Sequence, residues 1–130
     1  MTTREWTIPL PYTKPPWSLN QRLHFRKEAQ IKDSLKGVGI VYARKLKIPP
    51  LEKFTAQLHY APRDNRVRDG ENIAIICKPL VDGICSVTGV SDSHEHYTTL
   101  PTVIHPATGQ PGRLWLVLAD ATVHAGKGTS

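Results

Sequence analysis

Between Glu71 and Thr88 the apolar residues Ile73, Ile76, Leu80, Ile84 and Val87 recur at offsets of 3, 4, 4 and 3. That spacing belongs to one face of an α-helix and to no strand, and the stripe must lie against a core. A second face carries Glu71, Ile75, Lys78 and Asp82 at offsets of 4, 3 and 4. Glu71 and Lys78 therefore point the same way, about two turns apart. Asn72 is the expected N-cap, with Asp69-Gly70 as the turn before it. Pro79 and Gly83 weaken the backbone inside such a helix, which predicts a kink or a restart near Pro79.

The segments around this helix read as a small α/β domain. Trp6 to Leu10 is an expected strand, held to an edge or an early end by Pro9 and Pro11. Tyr12 to Leu19 is a proline-rich loop, and Asn20 is the expected N-cap of a helix from Gln21 to about Lys47. Ile31, Leu35, Val38 and Tyr42 form its core stripe; Arg22 and Arg26 share another face, as do Lys32 and Lys36. Gly37 and Gly39 predict a bend or a split in its middle. Glu52 to Tyr60 alternates, with Phe54, Ala56, Leu58 and Tyr60 to one side and Lys53, Thr55, Gln57 and His59 to the other, so it is a strand with one buried face. Thr99 to His105 is expected as a near-edge strand, Ala107 to Gly112 as a hairpin-like turn, and Leu114 to Leu118, which is continuously apolar, as a central strand. The expected fold is α/β: a single-layer mixed sheet of about four strands with two main helices, one domain over residues 1–124 and a small, polar, disordered tail over 125–130. A chain of 130 residues can bury roughly two-thirds of its unfolded surface.

Charge is distributed unevenly. Residues 1–68 hold 14 basic and five acidic side chains, a balance of +9, whereas residues 69–130 balance to −3. A basic half meeting an acidic segment fits a polyanion-binding surface beside a cation site. Arg63, Arg66 and Arg68 run directly into Asp69 and Glu71, with Asp82 and Asp92 further along. Acids brought together cost electrostatic energy unless a cation sits among them, and Mg²⁺, with Mn²⁺ able to substitute, takes such hard oxygen ligands while leaving positions for phosphate oxygens. Arginines that hold phosphate beside acids that hold a metal point to phosphodiester hydrolysis.

Cys77 and Cys85 are the only cysteines. Eight residues apart on one helix they stand ~12 Å apart along its axis, too far for a disulfide. They read as reduced thiols in or near the core of a cytosolic protein. A zinc site recruiting His94 and His96 would need a spacing that none of the common zinc patterns shows. No apolar run reaches membrane-spanning length, and no apolar signal segment follows Met1.

Taken in order, D-x-E-N at Asp69 to Asn72, Lys78, L-V-D-G at Leu80 to Gly83 and G-V-x-D at Gly89 to Asp92 resemble the RusA family of phage-encoded Holliday-junction resolvases. Pro15 to Arg22 is similar to that family's proline-asparagine segment, and Pro111 to Leu116 to its last strand, so the resemblance spans roughly residues 6 to 120. It implies a Mg²⁺-dependent endonuclease that resolves four-way junctions and other branched DNA as a homodimer, in the cytoplasm of a bacterial or phage-infected cell. It implies metal ligation by Asp69, Glu71 and Asp92 and a catalytic Lys78; the expected DNA contacts are Asn20, Arg22, Arg26, Arg63, Arg66 and Arg68. The chain departs from the pattern in two places: Glu71 replaces the second aspartate, and Ser93 stands where a turn aspartate would, in a turn one residue short. A junction-binding protein of the same fold with weak or no cleavage is the alternative.

Overall fold

The stripe at Ile73, Ile76, Leu80 and Ile84 is buried, and everything else is arranged over it. A computed structural model describes residues 4–18, 22–66, 68, 70–89 and 97–121. Their elements are β1 (Glu5–Pro9), α1 (Phe25–Lys45), β2 (Phe54–Ala61), α2 (Gly70–Ile73), a 3₁₀ turn (Ala74–Ile76), α3 (Cys77–Thr88), β3 (Tyr97–Thr99), β4 (Val103–Ile104) and β5 (Arg113–Asp120). This is an α/β fold with one mixed sheet in the order β1–β5–β2–β3, and β4 also pairs with β2. β5 is antiparallel to both β1 and β2, while β3 and β4 are parallel to β2. Parallel pairing needs a long return path, and α2 and α3 supply it.

Alternation places the core as expected. Phe54, Ala56, Leu58 and Tyr60 of β2 and Leu114, Leu116 and Leu118 of β5 are buried, together with Ile8, Leu35 and the α3 stripe, in one cluster. The opposite face of the sheet carries Thr55, Gln57 and His59 beside Trp115 and Val117, all half-buried. Pro9 sits at the end of the edge strand β1, where its missing N–H costs no ladder bond.

Several expectations are corrected. The first helix starts at Phe25, not Gln21, and its cap is His24, whose Nδ1 accepts from the Arg26 N–H at 3.2 Å. Arg22 therefore precedes the helix and shares no helical face with Arg26. Asn20 lies outside the described residues. Asn72 is inside α2 rather than capping it, because helical structure already begins at Gly70. The restart expected near Pro79 falls at Cys77, after the 3₁₀ turn. Pro79 then occupies the first turn of α3, where an N–H would have no intrahelical partner.

Gly37 and Gly39 do not split α1, which is continuous for 21 residues. Gly39 is buried at the crossing with α3: a Cβ there would collide with the Leu80 carbonyl oxygen, and one at Gly83 with the Lys36 carbonyl oxygen. The two glycines bring the helices into backbone contact, and that contact outweighs their poor helix propensity.

The strand expected over Thr99 to His105 is two short strands, because Pro101 has no N–H for the ladder. The Gln57 side-chain amide donates to the Pro101 carbonyl at 2.8 Å across the gap, and the ladder resumes with His105 N–H to the Tyr60 carbonyl at 2.8 Å. Residues 107–112 form no hairpin turn: β4 and β5 lie on opposite sides of β2, so the segment between them passes over the end of that strand. The tail at 125–130 falls outside the described residues.

Candidate functional site

β2 ends at Ala61 and the chain turns at buried Pro62 into the arginine loop. Asp64 organises that loop. Its Oδ1 accepts from Arg68 Nη2 at 2.8 Å and from the Arg66 backbone N–H at 3.1 Å, and its Oδ2 from Arg66 Nη2 at 3.1 Å. The hydrogen bond from Arg68, followed by that from the Arg66 N–H, lowers the Asp64 carboxyl to about 2. The same carboxylate raises the Arg68 pKa.

The two arginines differ. Arg68 is built into the loop: its Nη1 also donates to the Asp64 and Arg66 carbonyls at 2.9 and 2.8 Å, and its guanidinium lies over the Tyr60 ring, 5.5 Å from the centroid. Its side chain is 21% exposed, against 80% for Arg66, which stands out into solvent. Arg63 is exposed too. Of the candidate DNA contacts near the first helix, Arg22 and Arg26 are exposed, and the Arg26 guanidinium lies 5.7 Å from the centre of the Phe25 ring. Phe25 is itself 70% exposed.

The arginine loop leads into α2. Gly70 lies against Thr102, which a Cβ would approach to 3.1 Å, so the start of α2 is held beside the β3–β4 connection. Glu71 is exposed on α2, and Lys78 is exposed one face further along α3. Lys78 Nζ reaches Asp82 Oδ1 at 2.7 Å, a pair one helical turn apart that fixes the direction of the ammonium. Asp69, Asp92 and Ser93 lie outside the described residues, as do His94 and His96. Among the described residues no group of three or more His, Cys, Asp or Glu is placed to hold a metal ion.

The donors near Gly70 nonetheless suit a hard cation. Glu71 is an exposed carboxylate, and the Thr102 hydroxyl, on the residue whose Cβ and methyl group face Gly70, is buried with no hydrogen-bond partner among the described residues. Hard oxygen donors of this kind are the ligands Mg²⁺ prefers. The thiols do not enter: Cys77 and Cys85 are buried, and burial pushes Cys77 up to about 12, which keeps it protonated.

A cluster that the sequence does not reveal lies on the open face of the sheet at the same end of β2. His59 and Trp115 are cross-strand partners with parallel rings 5.2 Å apart, and His105 stacks on both at 5.2 and 5.0 Å. His59 Nδ1 and His105 Nε2 are 2.9 Å apart, so one imidazole donates to the other. Burial, followed by the His105 charge, lowers the His59 pKa. The Arg113 guanidinium lies over Trp115, 5.6 Å from its ring centre. Alternation alone places His59 on the outer face; only the strand order brings His105 and Trp115 to it.

No family model matches the chain, and no curated protein matches it. No described helix is long and apolar enough to cross a membrane.

Proposed function

We propose that the protein is a Mg²⁺-dependent endonuclease that resolves four-way junctions and related branched DNA, working as a homodimer in the cytoplasm. The observation that carries this reading is the direct succession, at one end of β2, of an arginine loop and a helix start bearing an exposed carboxylate, with Lys78 further along the same helical stretch. In this reading Arg63 and Arg66 contact backbone phosphates, and Arg68 keeps the loop in shape. Asp69, Glu71 and Asp92 would hold the ion. Bound Mg²⁺ supplies Lewis acidity to an attacking water and to the scissile phosphate. Lys78, steered by Asp82, stabilises negative charge developing on the phosphoryl oxygens or the leaving oxygen. A four-way junction is roughly two-fold symmetric, and two copies of this chain would supply the two matched nicks.

A second reading, junction binding with weak or no cleavage, draws on Ser93, which places a neutral side chain where a turn carboxylate would complete the acid set. One experiment separates the two. A synthetic four-way junction is incubated with the protein with and without Mg²⁺, and the gel shift and the nicked arms are scored separately. Nicking only with Mg²⁺ supports the nuclease; a shift without nicks supports the binder; neither removes both.

A further inference from the structure

We propose that the pocket between β1 and β5 receives an unpaired nucleobase, stacked against Trp115, with Arg113 on its phosphate. The proposal rests on the DNA-directed reading above and names a part of the substrate that reading leaves open. The pocket holds about 330 Å³ and is walled by Thr7, Pro9, Tyr12, Arg113 and Trp115. It is mainly apolar, with two aromatic walls and one cation, which is the chemistry that accepts a planar ring carrying an anionic substituent. The Arg113 guanidinium, 5.6 Å from the Trp115 ring centre, holds the place of the base, and a planar guanidinium that stacks on rings can swing from the indole to the phosphate of the base that replaces it.

The indole is held in place on its strand. His59 stacks on it almost parallel, at 8°, and His105 packs against both rings, the two imidazoles being tied by their 2.9 Å hydrogen bond. A platform of this rigidity loses little side-chain entropy on stacking a base. Tyr12 carries a phenol hydroxyl, whose pKa burial raises further, and offers a donor to a base edge. The location fits a strand leaving the arginine loop. Arg113 pairs across the sheet with Ala61, the last residue of β2 before that loop, and Asn65 Oδ1 accepts from the Ala107 N–H at 3.2 Å, joining the loop to the segment that leads into β5. Aromatic residues on a sheet face beside basic groups bind single strands whatever their sequence, because every base has a π-face. Base pairs in an intact duplex keep their faces buried in the stack, so the pocket should discriminate unpaired from paired DNA.

The test uses the full chain without divalent metal and reads fluorescence anisotropy of three labelled probes: a ten-nucleotide dT strand, an abasic strand of the same length and a blunt ten-base-pair duplex. The wild-type protein should bind the dT strand at least tenfold more tightly than the abasic strand. Trp115→Ala should weaken dT binding roughly tenfold or more, with Trp115→Phe recovering most of it. Arg113→Gln should weaken it severalfold, and duplex binding should stay within twofold throughout. In the wild-type protein the indole N–H resonance of Trp115 should move on adding the dT strand and stay put with the duplex, a readout that needs no variant to fold. Equal binding of dT and abasic strands, a parallel loss of strand and duplex binding in Trp115→Ala, or a stationary Trp115 resonance would each overturn the proposal. Strand binding through Trp115 by a protein that does not nick junctions would sink the nuclease reading alone. Junction nicking with no dependence on Trp115 would sink the base pocket alone.

Discussion

The crossing of α1 and α3 and the rim at the end of β2 are built in opposite ways. At the crossing, Gly39 and Gly83 bring two backbones into contact and leave no room for a methyl group. At the rim, position is set by side-chain hydrogen bonds: two guanidiniums on Asp64, an ammonium on Asp82, two imidazoles on each other. The crossing cannot yield without moving main chain. The rim can exchange partners, since a phosphate oxygen offers the arginines what the Asp64 carboxylate offers them. The rigid seam fixes the inner face of α3, and with it the base from which Lys78 projects on the outer face.

The largest effects should therefore come from filling the seam. Gly39→Ala and Gly83→Ala should each destabilise the protein by about 3 kcal/mol, because carbonyl groups of the facing helix must shift. Gly37→Ala, two residues away with nothing within 4 Å of its Cβ, should stabilise by about 0.5–1 kcal/mol. Urea denaturation measures all three. Equal effects at Gly37 and Gly39 would break the distinction between seam and surface.

A smaller effect, on binding rather than stability, is expected in the arginine loop. Arg66→Ala should flatten the dependence of junction affinity on salt by roughly 0.9 log unit per log unit. Asp64→Asn should steepen it, since the guanidiniums lose their internal partner and gain access to phosphate. Because Asp64 stays ionised down to about 2, this internal competition is fully present above the ordinary carboxylate range and fades only as pH falls towards 2. Salt titrations of the gel shift report the slopes; an unchanged slope in both variants would make the loop a bystander.

The smallest effects should be at His59 and at position 93. The folded His59 pKa lies below its unfolded value, so its contribution to stability is complete above about 6.5 and declines as pH drops below that. The melting temperature of His59→Gln should fall less than that of the wild type between pH 7.5 and pH 5.5. Ser93→Asp should lower the Mg²⁺ concentration for half-maximal cleavage, a carboxylate being a stronger ligand than a hydroxyl. An unchanged midpoint would place residue 93 outside the coordination shell.

The seam and the rim also differ in how far they can be read from sequence. The stripe of α3 and the alternation of β2 are local patterns, and both are where the spacing puts them. Pro79 announces a restart because its consequence is local too. Gly39 and Gly83 mislead, since their purpose lies in the partner helix and propensity registers only the penalty. The split between β3 and β4 has a local cause in Pro101, but the Gln57 amide that spans the gap comes from β2, which no single segment reveals. His105 carries no signal in its own neighbourhood; its place beside His59 and Trp115 follows from the order of the strands. At the candidate site, the succession of arginines, acids and Lys78 is legible, as is the helical face that Lys78 shares with Asp82, but Asp64 as the partner of two loop arginines is not, because pairing in a loop depends on side-chain direction.

Asp69 offers the most direct test of the proposed nuclease activity. With a four-way junction at saturating protein and Mg²⁺, the wild type should nick opposing strands. Asp69→Asn should bind the junction as well or better, having lost a phosphate-repelling charge, while its nicking should fall to background if Asp69 ligates the metal as proposed. Nicking by Asp69→Asn at the wild-type rate, or Mg²⁺-independent nicking by the wild type, would contradict a metal-dependent site at the start of α2.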